Sequence, residues 1–124
     1  DIIRMLIEGS NEAIKNHKKK FKINIIYVPG VFEIPYVISK NLKKYDAFIA
    51  LGCVIKGETP HFDFISKSSI DAIMKLSIEN KKPIGNGILT CLNKEQAVER
   101  ADKSYKNKGK EAADAAIDLL IDEN

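Results

Sequence analysis

The residues of this chain that could do chemistry fall in three places. One is "GETPHFDF" at 57–64, which holds His61, one of only two histidines. A second is "PGVFEIP" at 29–35, where Glu33 follows a Pro-Gly turn. The third is "EQAVERADKSYKNKG" at 95–109, which supplies Arg100 and Lys108. An imidazole can take a proton near neutral pH, and a carboxylate can accept hydrogen bonds from hydroxyls. A guanidinium offers phosphate a rigid bidentate fork, and an ammonium offers it a mobile point charge. These are the chemistries that the residue types offer, each to be weighed against a structural role.

Such groups need elements to position them. "INIIYV" at 23–28, "AFIALGCVI" at 47–55 and "IGNGILTC" at 84–91 read as strands, being β-branched or continuously apolar and bounded by Gly, Pro and Lys. Gly85 and Gly87 weaken the third of these as a strand interior. Helical spacing covers 2–14, interrupted by Gly9-Ser10, and then 33–44, 62–80, 94–103 and 109–122. Alternation of strand and helix predicts an α/β three-layer sandwich, a parallel sheet with helices on both faces, in a single domain over 1–124. Three strands flanked by five helices make a thin sheet, so a strand is expected upstream of Asp1.

In open parallel sheets ligands bind beyond the carboxyl ends of the strands. The segment 57–64 lies there, where an apolar strand gives way to a helix. A helix N-terminus presents free N–H groups and the positive end of its dipole to an anion, and glycine lets the anion approach closely. Gly57, Glu58 and Thr59 fit that description, and Pro60 suits the first helical turn. His61 then stands beside an anion site, where the dipole favours the neutral ring that accepts a proton, while Glu58 and Asp63 act the other way. A purely structural reading is open as well. Thr59 would cap the helix, Asp63 would complement its dipole, and His61 would pack. Arg100 could simply pair with Gln96 or Glu99, Lys108 could be a solvated lysine, and Glu33 a capping residue.

Composition narrows the class. The chain has 124 residues, 44% of them apolar, and a formal charge of +3. The longest apolar run is about half what a membrane helix needs, and no signal peptide is visible, so a protein off the membrane is expected. The basic run "KNHKKKFK" at 15–22 ends a helical pattern and lacks interleaved aromatics beyond Phe21, which argues against nucleic acid; His17 within it reads as surface. Cys53 and Cys91 form no Cys-x-x-Cys pair and lie in apolar context, as buried free thiols in a reducing cytoplasm would. There is no Walker lysine loop, no Gly-x-Gly-x-x-Gly and no histidine or carboxylate cluster at ligand spacing, so neither a metal nor a dinucleotide cofactor is expected.

Four stretches together resemble the lumazine synthase family: "VPGVFEIP" at 28–35, "ALGCVIKGETPHFDF" at 50–64, "PIGNGILT" at 83–90 and "EQAVERADKSYKNKG" at 95–109. The resemblance covers nearly the whole chain. It implies a flavodoxin-like fold and a cofactor-free condensation of 5-amino-6-(D-ribitylamino)uracil with 3,4-dihydroxy-2-butanone 4-phosphate in riboflavin biosynthesis. It implies that Phe32 and Glu33 contact the ribityl chain and that Val54 and Ile55 line the ring site. Gly57, Glu58 and Thr59 would hold the butanone phosphate, His61 would move protons, Arg100 would bind and help expel phosphate, and Lys108 would assist.

The resemblance further implies a homopentamer whose sites lie between neighbours, with Arg100, Lys108 and Asn86 crossing from the adjacent subunit. Whether pentamers build an icosahedral shell stays open, because "ADKSYKN" replaces a loop that is often Gly-rich. Many family members have Phe where this chain has Asn86. Members also begin with an interior strand and a loop bearing a stacking aromatic, both of which would precede Asp1. The reading from another class is a non-catalytic flavin- or pterin-binding relative, or an assembly scaffold of the same fold.

Overall fold

A computed structural model describes residues 1–121. Helix α1 spans Ile2–Lys15, β1 Phe48–Ile55, β2 Ile84–Cys91, α4 Lys94–Ala101 and α5 Lys108–Ile121. A 3-10 turn at Val31–Glu33 leads into α2, Ile34–Lys40, and the long α3, His61–Asn80, joins the two strands. The strands are parallel, in register from Phe48 opposite Ile84 to Ile55 opposite Cys91. A two-stranded sheet is marginal by itself, so its stability must come from the helices on its faces.

The period of two along each strand decides which layer each residue enters. Phe48, Ala50, Ile84 and Ile88 pack with Ile34 and Ile38 of α2 and Ile73 of α3. Leu51, Cys53, Leu89 and Cys91 turn the other way, onto Leu6 of α1 and Ala97 and Ala101 of α4, while Ile49 meets Ile14 and the α5 residues Ala113 and Ile117. Helices cover both faces of a parallel sheet, as the alternation predicts.

Helix termini follow local chemistry. Asp1 caps α1, its carboxylate accepting from the Ile3 N–H at 3.1 Å. Asn93 caps α4 through the Gln96 N–H at 2.8 Å, and the Gln96 side chain reaches back to the Leu92 N–H at 2.8 Å. These bonds supply partners for donors that a helix start leaves unpaired. At the other end of α3, Lys81 adopts a left-handed conformation, φ 51°, and sends its N–H to Ser77.

Two expectations are corrected. Gly9-Ser10 does not interrupt α1, which runs unbroken through both residues. They are buried because α5 lies against them, and their small size permits that approach. Residues 23–28 are not a strand. Among the described residues they pair with no strand, and Ile25, Ile26 and Tyr27 are exposed, Tyr27 to 75%. The reason is physical: β-propensity expresses a fit to neighbouring strands, and β2 is the one strand paired with β1. The chain is nevertheless seated on either side, Phe21 just before the segment on the Ile14–Ala113 cluster and Val28 at its end on the Ile34–Ala50 cluster. Asn24 donates to the Tyr45 hydroxyl at 2.6 Å.

Elsewhere the elements match closely. The helix expected at 33–44 is shorter, giving way to turns after Lys40, and that at 94–103 ends at Ala101. The expected last residue of the final helix, 122, lies outside the described residues. Gly85 does not weaken β2 but permits its packing, since a Cβ there would collide with the Ala112 carbonyl of α5. Among the described residues no helix is long and apolar enough to cross a membrane.

Candidate active site

The carboxyl end of β1 opens into residues 56–60, and α3 starts immediately after. Lys56 is the last residue tied to the sheet, its N–H donating to the Cys91 carbonyl at 2.9 Å. Beyond it the N–H groups of Gly57, Glu58, Thr59 and Phe62 have no acceptor among the described residues. A Cβ placed on Gly57 would meet nothing within 4 Å. Free donors, open space and the positive end of a 20-residue helix make this a place for an anion.

Pro60 is the residue preceding α3, and His61 begins the helix. Thr59 makes no side-chain cap on the helix; its hydroxyl only accepts a long bond, 3.4 Å, from the His61 N–H. The His61 ring is exposed and makes no hydrogen bond to another described residue. It is therefore free to exchange a proton with a ligand.

The 3-10 turn packs against both β1 and α3, with Val31 lying over Gly52. It carries Phe32, 62% exposed, and Glu33, whose carboxylate folds back towards Gly30 and accepts no hydrogen bond from the described residues. Val54 is half-buried and Ile55 exposed at the end of β1. Phe32, Glu33, Val54, Ile55, Gly57, Glu58, Thr59 and His61 thus belong to connected elements at one rim of the sheet.

Arg100 and Lys108 belong elsewhere. They sit on α4 and α5, the layer across the sheet from α2 and α3. Arg100 is half-buried and donates one N–H to the Gln96 carbonyl at 3.2 Å, as its structural reading allows, with no ion pair among the described residues. Its remaining N–H groups have no acceptor there. Lys108 is not a loop residue but the first of α5, with its ammonium 3.1 Å from both carboxylate oxygens of Glu111. Asn86 is exposed in β2, and its side-chain oxygen accepts from the Ile88 N–H at 3.0 Å, while its amide nitrogen has no acceptor among the described residues.

Cys53 and Cys91 are free thiols, Cys91 buried and Cys53 half-buried. Burial pushes the Cys53 thiol up to about 11, and the neighbouring Cys91 adds to that rise. Such a thiol is a poor nucleophile near neutral pH.

Sequence reasoning passed over Ser10 and Asn107. Asn107 takes a left-handed conformation, φ 45°, and its side chain accepts from the Lys110 N–H at 3.3 Å. The Ser10 hydroxyl, buried between helices, donates to the Gly109 carbonyl at 2.7 Å. The legible signals were the Asn-Lys-Gly triplet and a pair of small residues inside a helical pattern.

The family model described as 6,7-dimethyl-8-ribityllumazine synthase matches residues 1–122. A curated protein of that name from Aliarcobacter butzleri is 43% identical over 118 residues, which cover 93% of this chain and 76% of the relative. One from Sulfurimonas denitrificans is 42% identical over 122 residues, 96% of this chain and 79% of the relative. One from Campylobacter jejuni is 41% identical over 118 residues, 93% and 77% respectively. The family model and these relatives agree: the chain belongs to the 6,7-dimethyl-8-ribityllumazine synthase family, transferases of riboflavin biosynthesis.

Proposed function

We propose that the chain condenses 5-amino-6-(D-ribitylamino)uracil with 3,4-dihydroxy-2-butanone 4-phosphate, releasing phosphate and water and giving 6,7-dimethyl-8-ribityllumazine. The observation that carries this reading is the set of N–H groups at Gly57, Glu58, Thr59 and Phe62 without acceptors among the described residues, beside a His61 ring that makes no bond to them. The butanone phosphate sits on those donors. The pyrimidine lies against Val54 and Ile55, its ribityl hydroxyls donating to Glu33 beside Phe32. The nucleophile is the substrate's own amine, which forms an imine with the ketone, so no side chain needs activation. His61 moves protons between the reactants, and holding them together supplies much of the acceleration.

Arg100 and Lys108 complete the site from a neighbouring subunit of a homopentameric ring, together with Asn86. In support, one chain carries its anion rim and the cations Arg100 and Lys108 in opposite layers of the sheet, so a heterologous contact between copies unites them. The exposed Phe64, Met74 and Ile78 of α3 give such contacts apolar surface. The free edge of β1 and the unpaired segment 23–28 are further surface for a neighbour to cover. Exposed Ile25, Ile26 and Tyr27, with seated chain on either side, support that reading. A ring of this kind works in the cytoplasm, where its reactants are made.

The test is direct. Both substrates are mixed with the protein, and lumazine absorbance is followed above the uncatalysed background; no excess over background sinks the proposal. Arg100→Ala then weakens binding of the butanone phosphate far more than that of the pyrimidine. Equal loss of both in an intact assembly removes the phosphate role.

A further inference from the structure

Lys108 is a long, flexible side chain, so the protein controls its ammonium by fixing the backbone beneath it and the carboxylate beside it. Both neighbours in the chain are held. Before it, Asn107 is kept at φ 45°, its N–H donating to the Asp102 carbonyl at 3.1 Å and its side-chain oxygen accepting from Lys110. After it, the Gly109 carbonyl receives the buried Ser10 hydroxyl at 2.7 Å, and the Gly109 Cα rests against the Leu6 carbonyl. Gly9 is bare on the side facing Asn107, where a Cβ would strike the Asn107 amide. At the far end of the side chain, Glu111 takes the ammonium between two oxygens.

We infer that this α1–α5 contact is a positioning device for the Lys108 ammonium, with Ser10 and Asn107 as its positioning residues. The inference rests on the role proposed for Lys108 in phosphate chemistry and names what sets its geometry. Close packing of two helices would need only small residues at the seam. A glycine at 107 would accept the positive φ with less strain. Asparagine there adds an acceptor for the first turn of α5, and serine at 10 adds a donor for the next carbonyl. The polar bonds converge on the two residues that flank Lys108.

The test uses the full-length protein and steady-state lumazine formation. Ser10→Ala and Asn107→Gly are each made in the unsubstituted background and in Lys108→Ala. Expected is a fall in kcat of about tenfold for either variant when Lys108 is present, with KM for the pyrimidine unchanged. In the Lys108→Ala background the same substitutions cost less than about twofold, because the group they position is gone. Equal factors in both backgrounds, or no fall in the first, overturn the inference and leave the contact as packing. Asn107→Gly keeps the experiment decisive if Ser10→Ala folds poorly, since glycine is tolerated both at positive φ and at a helix N-cap. Unchanged kinetics in Lys108→Ala overturn the inference together with the role of Lys108. Absence of lumazine from the unsubstituted protein is a different result and overturns the proposed reaction itself.

Discussion

The two helical layers of this molecule are built differently. In the layer of α1, α4 and α5, small residues bring backbones together: Gly9, Ala97, Ala101, Gly109, Ala112, Ala113 and Ala116 are all buried. Its helices start on side-chain caps or Asn107, and its buried serine is bonded. Lys103 reaches from the loop before α5 to Glu12 of α1 at 2.7 Å. The layer of α2 and α3 has neither helix capped by a side chain, and it leaves Phe64, Met74 and Ile78 exposed. Its buried hydroxyl Ser69 has no partner among the described residues. The first layer ties its helices to one another, while the second leaves the open N–H groups before α3 and a run of apolar surface along it. Helix-to-helix ties and open donors thus lie on opposite faces of one small sheet.

The sharpest way to break this comparison is to add one methyl group to each side. Gly85→Ala puts a Cβ into the Ala112 carbonyl of α5, a backbone atom that cannot rotate away. The expected loss is about 3 kcal/mol, at the upper end of the usual overpacking cost, read as a fall in the urea midpoint with unchanged slope. Gly57→Ala adds its methyl to open space at the rim, and stability should move by less than about 0.5 kcal/mol. Equal stability losses would show that the rim is as tightly constrained as the seam.

A smaller effect separates the layers by activity. His61→Ala removes a ring that bonds to no other described residue, so stability should hold while turnover falls by about 10²-fold at most, general-base help being modest beside proximity. A steady-state rate equal to that of the unsubstituted protein would take His61 out of the chemistry.

How much of this was legible follows the same division. The strands at 48–55 and 84–91 and the helices around them were readable because their apolar periods report burial directly. The segment 23–28 carries the same β-branched signal and is unpaired, because a strand is a relation between segments and β-propensity cannot name the partner. The rim was legible through Gly57, Pro60 and His61, whose types are rare and whose spacing marks a helix start. Arg100 and Lys108 were visible as cations, and resemblance gave them a role, but neither told that their layer lies opposite His61. The seam was least legible. Gly9-Ser10 read as a break in α1, since a small pair inside a helix signals weakness locally and close packing only once its neighbour is known.

The smallest expected effect tests the comparison at its finest point, two buried serines. Ser10 is 3% exposed and bonded to Gly109; Ser69 is 2% exposed and bonded to nothing among the described residues. Ser10→Ala removes one bond to the Gly109 carbonyl, which stays within the hydrogen-bonded turns of α5, and should cost about 0.5–1.5 kcal/mol. Ser69→Ala removes an unsatisfied hydroxyl from an apolar setting, so it should be neutral or stabilise by up to about 1 kcal/mol. Urea unfolding of both variants decides the matter. A loss at Ser69 matching that at Ser10 would mean its hydroxyl has a partner in solution, and the α3 face would then be satisfied in its own right. A gain would mark Ser69 as a position where the open layer gives up stability that the closed layer keeps.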